Sequence, residues 1–259
     1  MRLDGKVVFV TGASSGIGEA CARAFAAEGA SLLLAARRLD RLETVAAEIA
    51  GATGIRIHLL ALDVRDQLAV DLAVSSLPAE WEAIDILLNN AGLSRGLDKL
   101  HEGLLSDWEE MIDTNVKGLL YVTRAVLPGM VRRGSGHIIN IGSIAGHESY
   151  PGGNVYCASK AAVRALTAGL RMDTMDTPIR VSAVDPGMVD TEFSLVRFHG
   201  DVERAKKVYN GMTPLTGADV ADVVRFVATR PAHVNVAEVL LLPEAQASAT
   251  LVRRGPPRV

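Results

Sequence analysis

The feature of this sequence that most restricts its fold is a regular alternation of short apolar runs with longer amphipathic stretches. Several of the apolar runs lack the polar alternation of a strand with one face in water, so they favour a parallel sheet that is covered on both faces. The seven runs that are typical of strands are KVVFV (6–10), SLLLAA (31–36), IRIHLLAL (55–62), IDILLN (84–89), HIINI (137–141), IRVSAV (179–184) and VAEVLLL (236–242).

Between the first of these runs, residues 16–28, 39–50 and 65–77 show the spacing of amphipathic helices. A β-α-β-α order with no repeat and no linker predicts one domain over residues 1–259. The expected architecture is α/β: a single-domain Rossmann-type, doubly wound parallel sheet of about seven strands with helices on both faces. Residues 190–215 break the alternation near the carboxyl end of the sixth strand and look like an insertion.

Two local patterns make sharper predictions. Ser106 is followed three residues later by Glu109, the spacing of a capping box, which predicts that a long helix over 106–133 begins there. The tail RRGPPRV (253–259) is predicted to be irregular.

Bulk properties exclude several classes of protein. A formal net charge of −3 without a basic block argues against a nucleic-acid partner. No apolar run approaches the roughly 18 residues of a membrane-spanning helix, and the run VVFV after Asp4, Gly5 and Lys6 is no signal peptide. The two cysteines, Cys21 and Cys157, form no CxxC pair, which suits a reducing cytoplasm. The histidines show no HExxH spacing, so no metal site is predicted.

A glycine-rich turn, VTGASSGIGEA (10–20), follows the first predicted strand and opens the first predicted helix. Gly12, Gly16 and Gly18 allow a tight turn, a close approach of the backbone to a ligand and close packing of the helix. The free N–H groups of the helix then face a pyrophosphate. This position in the chain predicts a dinucleotide site.

The second strand ends in AARRLD, where an NAD site would usually place an acidic residue on the adenosine ribose. Arg37 and Arg38 offer no acceptor atom to a ribose hydroxyl, but they can bind a 2′-phosphate through charge-assisted hydrogen bonds. Asp40 is near enough to leave the alternative open. The arginines favour NADP as the cofactor.

A tyrosine and a lysine, Tyr156 and Lys160, stand four residues apart and share a helical face. An ammonium group near the phenol favours the phenolate and lowers its pKa, which prepares it for proton transfer. Ser143 lies just past a strand, where a hydroxyl can donate to a substrate carbonyl. Asn115 falls in the middle of the predicted long helix, where asparagine is a poor helix former, so it is expected to hold a water or a broken turn.

These motifs resemble the short-chain dehydrogenase/reductase family, and they occur in the family order over nearly the whole chain. The matching segments are TGASSGIG (11–18), DV (63–64), NNAG (89–92), Asn115, Ser143, YCASK (156–160) and DPGMVDT (185–191). Further segments, including TEFSLVRF (191–198), resemble the NADP-dependent 3-hydroxy acid dehydrogenases, which act on serine and allo-threonine.

The resemblance implies a role for each site residue. Tyr156 would be the general acid/base, Lys160 would lower its pKa and bind the nicotinamide ribose, Ser143 would orient the substrate, and Asn115 would support a proton-relaying water. The residues that it implies for NADP are Gly12, Ser14, Ser15, Gly16, Ile17, Gly18, Arg37, Arg38, Asp63, Val64, Asn90, Ala91, Gly92, Tyr156, Lys160, Pro186, Gly187, Val189 and Thr191. It also implies a homotetramer.

The substrate is the least determined part of the prediction. A 3-hydroxy acid needs a cationic partner for its carboxylate, and Arg197 and Arg95 are both candidates, because arginine binds carboxylates with two hydrogen bonds. A reductase for larger ketones or 3-oxoacyl thioesters is the alternative within the family. A nucleotide sensor without turnover is the alternative from another class, although the intact Tyr156–Lys160 pair argues against it.

Overall fold

All seven predicted strands form, and they pair in one parallel sheet. The computed structural model describes residues 2–255. The strands are β1 (Val7–Thr11), β2 (Ser31–Ala36), β3 (Ile57–Ala61), β4 (Ile84–Asn89), β5 (Gly136–Ile141), β6 (Ile179–Pro186) and, at the edge, β9 (Glu238–Leu241), while a short pair is formed by β7 (Val189–Asp190) and β8 (Leu215–Thr216). Their order in the large sheet is β3-β2-β1-β4-β5-β6-β9. The predicted α/β fold class is confirmed.

Helices cover both faces of this sheet. They are α1 (Gly16–Ala27), α2 (Leu39–Thr53), α3 (Gln67–Ser75), α4 (Leu105–Ile112), α5 (Leu119–Arg133), α6 (Asn154–Asp173), α7 (Phe193–Arg197), α8 (Val202–Lys207) and α9 (Gly217–Ala228). Alternate residues of one strand enter opposite cores: Val8 and Val10 of β1 pack with α1, α2 and α9, while Val7 and Phe9 pack with α3 and α5. The nearly continuous apolar character of the strands follows from this two-sided burial.

The chain reverses its direction across the sheet between β1 and β4. The strands β2 and β3 lie on one side of β1, and β4, β5 and β6 lie on the other. In doubly wound sheets a crevice opens at this point, outside the carboxyl ends of the strands, and ligands bind there. The glycine turn after β1, the NNAG segment after β4 and Ser143 after β5 therefore meet at one edge.

A row of buried amides and hydroxyls crosses the carboxyl ends of β4 and β5. Asn89 and Asn140 are directly opposite in the strand register. The Asn89 Nδ2 donates to Asn140 Oδ1 and to Thr123 Oγ1, both at 2.9 Å. The Asn140 Nδ2 donates to Thr167 Oγ1 at 2.8 Å. Since Thr123 lies on α5 and Thr167 on α6, this row attaches both helices to the sheet.

The capping box predicted at Ser106 and Glu109 is wrong. The helix α4 begins at Leu105, and its N-cap, Leu104, makes no side-chain capping bond. The Leu104 carbonyl already accepts from the N–H of Asp107, so Ser106 lies inside the first turn and is no longer a cap. Apolar packing determines this start, because Trp108 and Met111 join the buried cluster around Tyr156.

A capping box does occur elsewhere, at the start of α9. Thr216 Oγ1 accepts from the N–H of Asp219, and the Asp219 carboxylate accepts from the N–H of Thr216. Threonine and aspartate make the same reciprocal bonds that the motif makes with serine and glutamate.

The predicted long helix is interrupted by a π-helical turn, Asp113–Gly118, between α4 and α5. Such turns add a residue to the helix and are frequent at functional sites. Gly118 closes the turn, and a Cβ there would lie 2.6 Å from Val64 Cγ2. The turn therefore brings the helix against the segment that follows β3.

The segment 190–215 contains α7 and α8 between the two short strands, so it is more regular than the sequence suggested. The described part of the tail, 253–255, is neither helix nor strand, and 256–259 lie outside the described residues. Within residues 2–255, no helix combines the length and the apolar character that crossing a bilayer requires.

Candidate active site

A cavity of about 360 Å³ opens at the edge of the sheet where the chain reverses. Most of the residues predicted for the cofactor or for chemistry line it: Gly12, Ser14, Ser15, Gly16, Ile17, Arg37, Arg38, Asp63, Val64, Asn90, Ala91, Gly92, Arg95, Ser143, Tyr156, Lys160, Pro186, Gly187, Val189 and Thr191. Three predicted residues, Gly18, Asn115 and Arg197, are not part of this lining and support it from behind or from the side.

The glycine turn is tightly built and leaves the helix amino terminus open. Gly12 has a positive φ of 66°, and a Cβ on Gly18 would lie 2.3 Å from the Gly12 carbonyl oxygen. The Asn90 Nδ2 donates to the carbonyls of Thr11 and Gly12, at 2.9 and 3.1 Å, which fixes the turn to β4. The N-cap of α1, Ser15, makes no side-chain capping bond. The first N–H groups of α1 therefore suit a phosphate group.

Positive charge lies at the adenosine end of this cavity. The Arg38 Nη2 donates to Ser15 Oγ at 3.0 Å and reaches Ser14 Oγ at 3.4 Å. Arg37 is half-exposed, with Nη1 3.7 Å from Glu110 Oε1. Asp40 lies exposed in the first turn of α2 and is not part of the cavity lining. The residues present at this end fit an anionic group such as a 2′-phosphate better than a ribose hydroxyl.

The end of β3 contributes Asp63 and Val64. The Asp63 carboxylate accepts from Arg65 Nη2 at 2.6 Å. Burial disfavours ionisation of Asp63, but the hydrogen bonds from Arg65 outweigh it, so the pKa of Asp63 is lowered. An ionised side chain thus lies at the cavity wall.

The predicted catalytic residues come together on the wall of the cavity. Tyr156 and Lys160 project from one face of α6, and Lys160 Nζ lies 6.0 Å from the centre of the tyrosine ring. The lysine donates to the carbonyl oxygen of Ile141 at 2.9 Å, which ties α6 to the end of β5. Ser143 caps a short 3₁₀ turn, Ile144–Gly146, and its Oγ accepts from the N–H of Ala145 at 3.1 Å.

Burial dominates the ionisation of Tyr156. It raises the pKa of Tyr156 above the ordinary value of a tyrosine, and the neighbouring Tyr150 acts in the same direction. The positive charge of Arg197 and a hydrogen bond from Ser143 oppose this rise. The lowered pKa predicted from the Tyr156–Lys160 spacing is therefore not found, because burial outweighs the positive charge around the ring and favours the neutral phenol.

Burial also dominates the ionisation of Lys160, lowering its pKa to about 8. The negative charge of Asp185 partly opposes this effect. Gly92 keeps the space beside the ammonium open, since a Cβ on it would lie 3.6 Å from Lys160 Nζ. The lysine is therefore a buried cation close to its titration range at neutral pH.

The side chain of Asn115 joins the π turn to the loop after β4. Its Oδ1 accepts from the Leu93 N–H and its Nδ2 donates to the Leu93 carbonyl, both at 2.8 Å. The same Nδ2 donates to Ser159 Oγ on α6 at 3.0 Å. A break in the helix is present as predicted, whereas support of a proton-relaying water by Asn115 stays a prediction.

The two candidate arginines have different surroundings. The Arg197 guanidinium carbon lies 5.5 Å from the centre of the Tyr156 ring, and this side chain donates to Ser94 Oγ and to Tyr150 OH. Arg95 instead forms an ion pair with Glu110 at 2.7 Å. Among residues 2–255, Arg197 has no carboxylate within ion-pair distance, so it rather than Arg95 offers an uncompensated cation near the tyrosine.

His147 lies behind the cavity wall. Its Nε2 is 2.7 Å from Asp185 Oδ2 and 3.3 Å from Glu238 Oε1. The Glu238 carboxylate also accepts from Arg164 at 2.8 Å. Ligand atoms of His147, Asp185 and Glu238 lie within 4.8 Å of one another, close enough to hold a metal ion. Their mutual bonds and Arg164 already account for this arrangement, and the predicted lack of a metal stays a prediction.

Several residues of the site were not found from the sequence. Tyr150 and Ser94 hold Arg197, while Glu192 and Phe193 line the cavity directly after Thr191. Their position next to the motif residue Thr191 was the available signal for the last two. Tyr150 and Ser94 carried none, because only folding brings them to Arg197.

The chain is similar in sequence to known proteins over most of its length. A model of the short chain dehydrogenase family matches residues 6–200. The NADP-dependent 3-hydroxy acid dehydrogenase YdfG of Salmonella typhi is 50% identical over 246 residues, which cover 95% of this chain and 98% of the relative. Sulfoacetaldehyde reductase 2 of Chromohalobacter salexigens is 46% identical over 242 residues, 93% of this chain and 95% of the relative.

The fold is also similar to that of solved structures. The closed form of serine dehydrogenase complexed with NADP+ superposes with a TM-score of 0.90 at 48% sequence identity. The superposition covers 96% of this chain and 99% of the other.

Proposed function

This chain belongs to the short chain dehydrogenase family, and we propose that it transfers a hydride between NADP and a 3-hydroxy acid such as serine or allo-threonine. The oxidoreductase class and the use of NADP follow from the relatives of this chain. The substrate class rests on one observation, the position of Arg197 beside the ring of Tyr156.

The residues present fit NADP along the whole cavity. The open amino terminus of α1 suits the pyrophosphate, and Arg37 and Arg38 suit the 2′-phosphate. The segment Pro186–Thr191 is assigned to the nicotinamide end, with the backbone of Val189 at the carboxamide. Bound NADP supplies the centre that accepts or donates the hydride.

The proton is handled by Tyr156. During oxidation its phenolate takes the proton of the substrate hydroxyl, and during reduction its phenol returns a proton to the carbonyl oxygen. Ser143 donates a hydrogen bond to that oxygen and orients it. Lys160 supplies positive charge that favours the phenolate, and Asn115 holds the loop after β4 against the catalytic helix.

Arg197 binds the substrate carboxylate. In a 3-hydroxy acid the carboxylate lies two bonds from the carbon that bears the hydroxyl, so a cation at the rim of the tyrosine ring is close enough to meet it. Ser94 and Tyr150 hold the guanidinium in place. The insertion 190–215, which carries Arg197, thereby covers the substrate end of the cavity within the single domain 1–259.

The first experiment is a turnover assay of the purified protein with NADP or NAD and L-serine, L-allo-threonine or 3-hydroxypropionate. We expect reduced nicotinamide with NADP, and we expect Tyr156→Phe to lower kcat by about 10²–10⁴-fold, the usual contribution of an acid/base group. Fluorescence titration should show that this variant still binds NADPH. Turnover of bulky ketones but of none of the acids would overturn the substrate class and keep the chemistry.

A pair of arginine variants tests the carboxylate partner. Arg197→Met should raise the KM for the acid at least tenfold, since it removes a charge-assisted contact worth about 1.5–3 kcal/mol. Arg95→Met removes the ion pair with Glu110 and the hydrogen bond to the Val196 carbonyl but keeps the Arg197 cation, so its KM should rise less than that of Arg197→Met. A KM that rises more in Arg95→Met than in Arg197→Met would reverse the assignment.

A sulfonate is a second candidate for the anionic group. The sulfoacetaldehyde reductase relative is named for a substrate with a sulfonate two bonds from the reacting carbon, which Arg197 would meet in the same way. Isethionate should therefore be included in the assay. A higher kcat/KM for isethionate than for every carboxylic acid would favour this second function.

We also propose a homotetramer in the cytoplasm. Exposed apolar side chains on the interrupted helix α4–α5, such as Leu105 and Leu120, support burial against another copy. The two cysteines are free thiols and buried, which suits a reducing compartment. Light scattering should give four times the 27.4 kDa chain mass, and a monomer or dimer would refute the tetramer.

A further inference from the structure

Glu192 is held by two arginines from the opposite side of the cavity. Arg41 Nη1 donates to both oxygens of the carboxylate, at 2.6 and 2.8 Å. Arg38 donates to Oε2 from both of its terminal nitrogens at 3.2 Å. The hydrogen bond from Arg41 lowers the pKa of Glu192, so the carboxylate is ionised at neutral pH. The contact joins the start of α2 to the start of α7.

The helix that follows Glu192 carries two side chains of the substrate end. Phe193 lies 5.6 Å from the ring of Tyr156, centre to centre, and Arg197 lies over the same ring. The N–H of Val196 donates to the Glu192 carbonyl at 2.9 Å, which closes the turn. A helix of one turn is not stable alone, so contacts at its two ends determine where it lies.

The carboxyl end of α7 is fixed by hydrogen bonds to its backbone carbonyls, whereas its amino end is fixed by ion pairs. The Arg197 carbonyl accepts from the Gly96 N–H at 2.9 Å, and the Val196 carbonyl accepts from Arg95 Nη1 at 2.5 Å. At the amino end, Glu192 and its arginine partners are 38–46% exposed. The amino-terminal attachment is therefore the more sensitive to salt.

We propose that Glu192 is a positioning residue, which fixes α7 and with it Arg197 through ion pairs with Arg41 and Arg38. Binding of the substrate carboxylate then depends on a contact at the 2′-phosphate end of the cavity. This inference rests on the proposed function, because it takes Arg197 as the carboxylate partner.

The two arginines have unequal parts in this arrangement. Arg38 is assigned to the 2′-phosphate, so bound NADP shares it with Glu192. Arg41 is not part of the cavity lining and makes the shorter bonds to the carboxylate. Loss of Arg41 should therefore raise the KM for the substrate without changing the affinity for the cofactor.

The test compares Glu192→Gln, Arg41→Gln and the double variant with Glu203→Gln. Glu203 lies on α8 of the same segment, is 78% exposed and pairs only with Lys206 among the ion pairs of the described chain, so it is a matched control. We expect each single variant to raise the substrate KM about fivefold and the double variant to raise it no further, as for a pair of ordinary strength. NADPH affinity of Arg41→Gln should stay within about twofold of the wild type, and added salt should bring the wild-type KM towards that of the variants.

Hydrogen exchange supplies a readout that does not depend on the acid. In enzyme saturated with NADPH, the Val196 amide should exchange faster in Glu192→Gln and Arg41→Gln than in the control. If no 3-hydroxy acid is turned over but this exchange changes, the proposed substrate is wrong and the positioning role stands.

Two results would overturn the role itself. Glu192→Gln could match Glu203→Gln in both KM and exchange, or the double variant could show the product of the two single effects. Glu192→Asp, which keeps the charge, replaces the glutamine variant if that one does not fold. Its KM should lie between that of the wild type and the fivefold higher value expected for Glu192→Gln.

Discussion

Substitution of Gly18 by alanine tests the structure of the cofactor turn. A Cβ at this position would lie 2.3 Å from the Gly12 carbonyl oxygen and 2.4 Å from Asn90 Nδ2. Both atoms belong to a fixed arrangement, because that amide donates to the Thr11 and Gly12 carbonyls. The helix must therefore move away from the turn by about 1 Å, given that ordinary contacts begin near 3.5 Å.

The expected cost combines two destabilising contributions with one that stabilises. Overpacking costs about 1–3 kcal/mol, and weakening the Asn90 hydrogen bonds adds about 1 kcal/mol. Replacement of a helical glycine by alanine returns up to about 1 kcal/mol. The net expectation for Gly18→Ala is a loss of about 2 kcal/mol in the free energy of unfolding, together with at least tenfold weaker NADPH binding.

Gly169→Ala is the matched control. Gly169 lies inside α6, and a Cβ there meets no atom within 4 Å. The same chemical change should therefore stabilise the protein by about 0.5–1 kcal/mol. Urea denaturation and fluorescence titration with NADPH measure both effects. A Gly18→Ala variant within 0.5 kcal/mol of the wild type, with unchanged NADPH affinity, would refute the reasoning.

Three further predictions concern charge and capping. Burial lowers the pKa of Lys160 to about 8 from 10.5. The free-energy cost of burying the ammonium is therefore full below pH 8 and is lost as the pH rises towards 10.5. Between pH 8 and pH 9.5, urea denaturation should show that the free energy of unfolding of the wild type rises by about 1.5 kcal/mol relative to that of Lys160→Met. His147→Ala leaves the buried Asp185 carboxylate without this donor and should lower stability by about 1–3 kcal/mol, measured by the same method; an unchanged midpoint would contradict the assigned bond. Thr216→Ala removes a capping box and should cost about 1 kcal/mol, while Ser106→Ala should cost less than 0.5 kcal/mol in thermal unfolding.

The strands and the shared position of Tyr156 and Lys160 at the cavity could be predicted because their signals are local. A run such as IDILLN must be covered on two faces, and the structure confirms it as β4. Tyr156 and Lys160 are one helical turn apart, so their shared face follows from sequence spacing alone. The parallel sheet then brings Ser143 to the same edge.

Features that depend on tertiary packing could not be predicted. The start of α4 is determined by Trp108 and Met111 in an apolar cluster whose other members lie far away in the chain. The sequence left both Arg197 and Arg95 as candidates for the substrate carboxylate. Only the folded chain shows that Arg95 pairs with Glu110 and that Arg197 lies beside the ring of Tyr156. A pattern of residues gives no information on which charges neutralise each other.

The row of amides across β4 and β5 has a consequence for strand alignment. Outside this row, residues 86–88 and 137–139 are mostly aliphatic, so sliding one strand by two residues would preserve most of the apolar burial. Such a slip would separate Asn89 from Asn140 and leave buried amide groups unpaired, at about 1–3 kcal/mol for each group. The two asparagines thus encode the alignment of two strands whose carboxyl ends lead into the cavity wall, through the segment after β4 and through Ser143 after β5. Misaligned folding intermediates are therefore disfavoured next to the proposed active site.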